Sequence, residues 1–503
     1  MLTLLYACMQ LLKAVLTLCL VLLSASMFGA GVQREAWVIG WGAQMWLFKL
    51  FFTPLNETFR ARFLQLRNEQ GAAFALASTR SLLLFVSIVA IASVIFIVCC
   101  SGTFMQFIAP GYFRRADQEQ IRLMTLYLAP VLLISEWTSL LTALLNCYRS
   151  FYLPELLSLF TIVLNILLLW IAGDLLGVYA FVWANYISLI LLLLLLLRQV
   201  ARLGLFDKTP PVAQHVSVKP FLLFTAPLYG SALAAQFNVW SERRMLSYLR
   251  MGSNAALDYA RKFTDAPVIL IVSLATAVVA PLLSTLLSRS GITGKAFKKE
   301  CYLFMRSCLL VLAPVIFVCT YGAPELVSSF LLHGKFEQYW APDLISALQW
   351  FAAGLPGTVL CVIMGQVLLL QKRSGIYAAI AAVSQLLPVV ANYYLFREKG
   401  IPVFACTWSV AQYIMGFSLL IAAGLSERKL LLRLLSVALL CICSALAAAA
   451  VTTLARIESP VFRLAFMAFS HSLLILSALF LLRFEEAGVL KLLLRKVRIR
   501  SGK

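Results

Sequence analysis

"FLLFTAPLYGSALAAQFNVWSERRMLSYL", residues Phe221–Leu249, runs from Phe221 to Trp240 without a charge and then sets Glu242, Arg243 and Arg244 side by side. About twenty apolar residues in a helix rise roughly 30 Å, the thickness of the hydrocarbon layer of a bilayer. The stretch therefore reads as a membrane-spanning helix with charge at its far end. Successive helical residues are about 100° apart, so Glu242 and Arg244 point to nearly opposite sides. Either this end reaches the outer interface, where arginine heads extend into water, or it borders a wet cavity.

The rest of the chain supports the membrane reading. Of 503 residues, 62% are hydrophobic and only 13% charged, where a soluble chain carries about 25%. The net charge of +21 does not indicate nucleic acid, because the basic residues lie between apolar runs and form no patch interleaved with aromatics. Twelve cysteines are scattered without a CxxC spacing, which argues against a metal site or a disulfide framework. The opening "MLTLLYACMQLLKAVLTLCLVLLSAS" has a charge-free front and Lys13 inside its apolar run, so we read an uncleaved first helix rather than a signal peptide.

Counting apolar runs of spanning length gives fourteen, the second near 36–54, the fourth near 122–146, the seventh near 221–248 and the eighth near 262–286. If the N-terminus is cytoplasmic, the inside segments hold 25 basic residues and the outside segments 10. The positive-inside rule then places both termini in the cytoplasm. Seven basic residues remain within or beside spans: Lys13, Lys49, Arg243, Arg244, Arg261, Lys262 and Arg306. A charge at the centre of a spanning helix costs about 2.5–3.5 kcal/mol. Five of the seven crowd into the second, seventh and eighth spans, so a shared purpose is expected.

Two stretches repeat. "FIAPGYF" (Phe107–Phe113) and "FLLHGKF" (Phe330–Phe336) are each followed by a basic residue, Arg149 and Lys372, and then by an Asn in an apolar run, Asn165 and Asn392. We expect six-helix halves over 1–200 and 215–425, two additional spans over 426–486 and a basic cytoplasmic tail over 487–503. Parallel repeats with a cavity between them are a transporter architecture. No nucleophile–base set, HExxH, phosphate-binding loop or dinucleotide fingerprint appears, so catalysis is not expected.

Each candidate also has a structural reading. Lys49, in "WLFKLFF", either reaches the inner boundary or faces a cavity. Glu136, in "LLISEWTSLL", is a titrating acid facing a cavity or a neutral, hydrogen-bonded one. Glu35 stands at a helix start, where a carboxylate suits the helix dipole. His215, His333 and His471 are isolated and are not expected to be ligands.

The strings "FGAGVQREAW", "APGYF", "ALLNCYRSFYLP", "PLYGSALAAQ" with Pro227 and Gln236, "LDYARKFTDAP", "APLLS" (Ala280–Ser284) and "HGKF" occur in the order of the MurJ/MviN family, within the MOP flippase superfamily. The resemblance covers roughly residues 20–425. It implies an all-α polytopic protein with two six-helix lobes in a V-shaped arrangement plus two C-terminal helices. It also implies transport of lipid II, the peptidoglycan precursor, across the bacterial inner membrane by alternating access. A cation-lined cavity and coupling to membrane potential, H+ or Na+ belong to the same expectation, with no cofactor.

By position, Glu35 matches an acid after FGAG, Lys49 falls on or beside a basic position of the second helix, and Lys262 matches the arginine of a YADR pattern. Glu242 falls near an acid that some members use in a cation site. The departures concern cargo: Met1–Gly31 holds Lys13 alone where the family has cavity arginines, "GAQMW" replaces a Pro-Asn pair, and Arg261 replaces the Asp of YADR. The expected substrate-binding set is thus Lys49, Arg243, Arg244, Arg261 and Lys262, with Glu35, Glu136 and Glu242 in coupling or gating. Membrane lipids and envelope-synthesis enzymes are the expected partners. A flippase for another lipid-linked oligosaccharide, a cation-coupled exporter of the MATE type and a transport-dead scaffold remain alternatives.

Overall fold

The computed structural model describes residues 2–112, 114–148, 152–206, 218–275, 283 and 294–481. No strand occurs among the described residues. Among the described residues, eleven helices are long and apolar enough to cross a membrane. They coincide with eleven of the fourteen expected spans, and the other three are the second, seventh and eighth. Those three are helical as well: α2 (Val32–Phe51), α10 (Lys219–Ser247) and α11 (Ser253–Leu274). They are also the helices that carry most of the charges singled out above.

The N-terminal part runs α1 (Leu2–Phe28), α2, α3 (Thr53–Gln70), α4 (Ala72–Cys99), α5 (Ser101–Ile108), α6 (Arg115–Leu128), α7 (Val131–Cys147), α8 (Tyr152–Leu176) and α9 (Tyr179–Ala201). Helices α6 and α7 make one apolar span, Ala116–Cys147, jointed at Ala129 and Pro130. After α10 and α11 come α12 (Lys295–Thr320), the single turn α13 (Ala323–Leu326), α14 (Ala341–Leu370), α15 (Ser374–Lys399), α16 (Pro402–Ala422), α17 (Arg428–Leu454) and α18 (Pro460–Leu481).

Helix α3 falls in a segment expected only as a basic connection. Its sequence, "TPLNETFRARFLQLRNEQ", buries Leu55, Phe59, Phe63 and Leu66. Steps of three and four residues align these on one face. Phe59 stacks on Phe221 at 5.6 Å and Phe63 meets Tyr148 at 6.0 Å. Helix α3 thus packs through a face of leucine and phenylalanine side chains, with Arg67 beside it over the Tyr148 ring at 5.7 Å.

Two compact units emerge from the contacts. The first is drawn from Met1–Tyr259, Gly334–Glu337 and Ala378–Phe404, and the second from Ala260–His333, Gln338–Tyr377 and Ala405–Lys503. In the second unit α14 and α16 approach closely. A Cβ on Gly357 would stand 2.8 Å from the Tyr413 backbone N, and one on Gly416 would stand 2.7 Å from Leu360 Cβ. Tyr413 OH donates to Ala353 O at 2.7 Å and Ser409 Oγ to Trp350 O at 2.5 Å. Small residues that admit neighbouring backbones, with hydroxyls bonding across, are how helices associate where lipid supplies no hydrophobic drive. His471 of α18 lies 2.9 Å from Ser444 Oγ of α17 and edge-on to Phe317, a packed histidine.

Candidate functional site

In the first unit Glu35 is fully buried at the start of α2. Its Oε1 accepts from Tyr112 OH, from Asn254 N at 3.2 Å and from Asn254 Nδ2 at 3.0 Å. Its Oε2 accepts from Ala255 N at 2.7 Å. Asn254 and Ala255 open α11, whose first backbone N–H groups have no partner within the helix. The side chain of one helix therefore caps another, where the helix dipole favours an acid. Tyr112 lies between α5 and α6. Burial first, and then the neighbouring Glu35, push its phenol above the ordinary range near 10.0. It stays a donor throughout the neutral range.

Around this cap the strings that carried the resemblance meet. Arg34 Nη2 pairs with Asp258 Oδ2 at 3.3 Å, and its guanidinium lies 5.0 Å from the Tyr259 ring. Tyr259 OH donates to Gly29 O at 3.1 Å. Lys335 N, of "HGKF", donates to Ser26 O at 3.0 Å. Gly29 has φ +58°, and a Cβ there would come within 2.3 Å of Lys335 O; glycine is needed for both reasons. Gly111 N, of "APGYF", donates to Ser247 Oγ at 3.0 Å. Segments far apart in sequence are thus tied together by a few polar bonds.

The expected cations divide between the units. Arg243 of α10 donates through Nη1 to Val38 O of α2 at 2.8 Å. It presses against Gly42, where a Cβ would lie 1.8 Å from that nitrogen. Arg244, the next residue, turns away from α2. It donates to Phe107 O at 3.2 Å and lies over the Trp240 ring at 5.4 Å. Glu242 is half-buried on α10, and Lys49 is exposed in the last turn of α2. Arg261 and Lys262 belong to the second unit. Arg261 lies 5.1 Å from the Phe351 ring, and Lys262 pairs with Asp265 at 3.4 Å.

Glu136 is fully buried on α7. Asn56 Nδ2 of α3 donates to its Oε2 at 3.1 Å, while Glu136 Oε1 and Asn56 Oδ1 find no hydrogen-bond partner. Lys13, the basic residue of α1, pairs with Glu155 of α8 at 3.4 Å. Of the repeat features, Phe113 and Arg149 lie outside the described residues, as do His215, the 487–503 tail and most of "APLLS". The described residues contain no group of three His, Cys, Asp or Glu that could hold a metal.

Sequence reading missed Tyr112, Asn254, Asp258 and Asn56. Tyr112 stood inside a quoted repeat, and Asn254 precedes "LDYARKFTDAP" by three residues. The available signal was motif membership; their chemistry shows only when the partner is in view.

The comparisons with known proteins agree with one another. The model of the lipid II flippase MurJ family matches residues 24–472. A curated lipid II flippase MurJ from Burkholderia cenocepacia is 25% identical over 253 residues, 48% of this chain and 48% of that protein. The chain thus aligns with about half the length of the curated relative it matches. Among solved structures, a lipid II flippase MurJ in an inward closed conformation superposes with a TM-score of 0.78 at 17% identity, covering 95% of this chain and 98% of that one. An inward-facing multidrug resistance MATE family transporter of the MOP superfamily gives 0.64 at 12% identity, covering 86% and 98%. These likenesses at low identity show the fold. The family match includes α17 and more than half of α18, beyond the 20–425 of the motif resemblance, and on that match the chain belongs to the lipid II flippase MurJ family.

Proposed function

We propose that this chain flips a polyprenyl-diphosphate-linked sugar, lipid II foremost, across the bacterial inner membrane by alternating access. The family match over 24–472 carries the reading. The physical requirement is clear: a diphosphate and a sugar cannot enter hydrocarbon unaided, so the protein must offer cations, water and a route for the prenyl tail. Arg243, Arg244, Arg261, Lys262 and Lys49 supply the cations, the arginines through forked hydrogen bonds to phosphate oxygens. With both termini cytoplasmic by the positive-inside rule, the Glu35 cap lies toward the outer face. A small set of polar bonds holding one end shut is what a protein opening alternately to either side requires.

Glu35, with Glu242, is the gating group in this reading and Glu136 the coupling group, answering to H+, Na+ or the membrane potential. A net positive cavity feels about 2.3 kcal/mol per charge per 100 mV. Envelope-synthesis enzymes that make or consume the cargo are the fitting partners. One observation favours a second cargo. The lone basic residue of α1, Lys13, is engaged by Glu155, so that helix contributes less to an anion than the family pattern implies. Another lipid-linked oligosaccharide is the alternative.

The test is rescue of cells depleted of their lipid II flippase, together with flipping of lipid II by the purified protein in vesicles. Growth and transfer are expected with the wild type, and loss of both with Arg243→Gln or Arg261→Ala at normal protein levels. No rescue by a correctly inserted wild type would overturn lipid II as cargo.

A further inference from the structure

We infer that the groove between α10 and α15 is a docking site for the prenyl diphosphate end of the transported lipid, separate from the contact of Arg243 with α2. The inference rests on the reading that the cargo is a polyprenyl diphosphate. The groove encloses about 720 Å³ within the first unit, with Trp240, Arg244 and Tyr248 on one wall and Tyr393, Tyr394 and Arg397 on the other. Asn238 Nδ2 donates to Gln385 Oε1 at 3.0 Å and ties the two helices together.

Three features select the occupant. First, two guanidinium groups enter the groove and no acidic residue lines it among the described residues. Glu398, beside Arg397, is engaged by Lys399 at 3.0 Å. Arg244 meets Phe107 O at 3.2 Å, a contact that engages one of the five N–H groups of a guanidinium. A diphosphate offers two phosphates to two such forks, whereas a phosphodiester lipid offers one.

Second, the wall is apolar and open. Tyr393 and Tyr394 are 66% and 76% exposed, and Val390 is 58% exposed. Such a wall fits a methyl-branched run of isoprene units better than a sugar, which would need hydrogen-bonding neighbours.

Third, the groove sits at the C-terminal ends of both helices, where Arg397, Glu398 and Lys399 close the α15 span. Tyrosine and tryptophan concentrate at this depth, the boundary between hydrocarbon and water. A lipid diphosphate held here has its phosphates at the boundary and its tail in the bilayer. The groove is therefore a station for cargo entering or leaving the leaflet on that side.

The experiment uses the full chain in nanodiscs of zwitterionic lipid with a photoactivatable long-chain prenyl diphosphate, followed by peptide mapping. Label is expected on peptides covering Phe237–Tyr248 and Val389–Arg397. Arg244→Gln with Arg397→Gln should lower it there by about tenfold, the scale of one lost charge-assisted hydrogen bond or more, and label elsewhere should persist. Tyr394→Ala, at an exposed position, serves as an independent variant and should also weaken labelling. Unchanged labelling in the arginine variants, or label confined to other peptides, overturns the inference while leaving the cargo reading standing. Displacement of this label alone by an equal amount of phosphatidylglycerol assigns the groove to a resident phospholipid and also overturns it. Absence of label anywhere on the wild type overturns the cargo reading and the inference together.

Discussion

At the scale of single residues, the molecule depends on a few side chains whose partners are remote in sequence. Glu35 accepts from Tyr112, 77 positions away, and from Ala255, 220 positions away. That an acid belongs at the start of a helix was legible, because dipole and sequence are both local there. Which helix it would cap was not. Glu35→Gln replaces one acceptor oxygen with a donor, so a buried N–H or hydroxyl faces a second donor at a cost of about 1–3 kcal/mol. Thermal unfolding in detergent should shift down accordingly. In a cysteine-free background, a cysteine at Ser247 should react faster with a thiol reagent than in the Glu35 parent. Gly42 makes a second case: Gly42→Ala puts a methyl onto Arg243 Nη1 and must displace the guanidinium from Val38 O. Transport should fall about as far as in Arg243→Gln, roughly tenfold or more if one charged hydrogen bond to the cargo is lost, while size-exclusion behaviour stays normal. Full flipping by Gly42→Ala would show that this seat is unimportant.

At the scale of elements, hydropathy was a good guide to the long helices and a poor one to α3. A search for spanning runs has no reason to notice eighteen residues with five charges, even though Leu55, Phe59, Phe63 and Leu66 form a clear stripe. The signal was periodicity, which a window average removes. The contact of α14 with α16 was hidden for the opposite reason. Glycines in an apolar run look featureless until the facing backbone is known. A Cβ at Gly357 meets the Tyr413 N at 2.8 Å, whereas one at Gly365 meets only the Tyr377 ring edge at 3.0 Å. Backbone cannot move aside as a ring can. Gly357→Ala should therefore cost about 1–3 kcal/mol, read as a lower midpoint of thermal unfolding, and Gly365→Ala distinctly less. Equal effects would count against close packing as the reason for Gly357.

For the molecule as a whole, the distribution of basic residues makes an orientation testable without any knowledge of contacts. A fluorescent protein fused to the C-terminus should fold and fluoresce, and alkaline phosphatase fused at the same point should stay inactive, as both need particular sides of the membrane. The reverse result would turn the Glu35 cap toward the cytoplasm and with it the direction of the proposed cycle. At this scale the motif resemblance also pointed to the family, yet it stopped at residue 425 while the family match continues to 472. The helices past that point are apolar and lack distinctive strings, so short motifs had nothing to hold.

The sequence by itself determined that this is a many-helix membrane protein and where most of its spans lie. Transfer of each residue between water and hydrocarbon is nearly a local quantity, and it adds along the chain. The tertiary structure alone decided that Glu35 caps α11, that Gly42 gives Arg243 its place, and that adjacent Arg243 and Arg244 serve different surroundings. Those outcomes depend on directions in space: a step of about 100° separates two neighbours on one helix, and only packing says what each then meets.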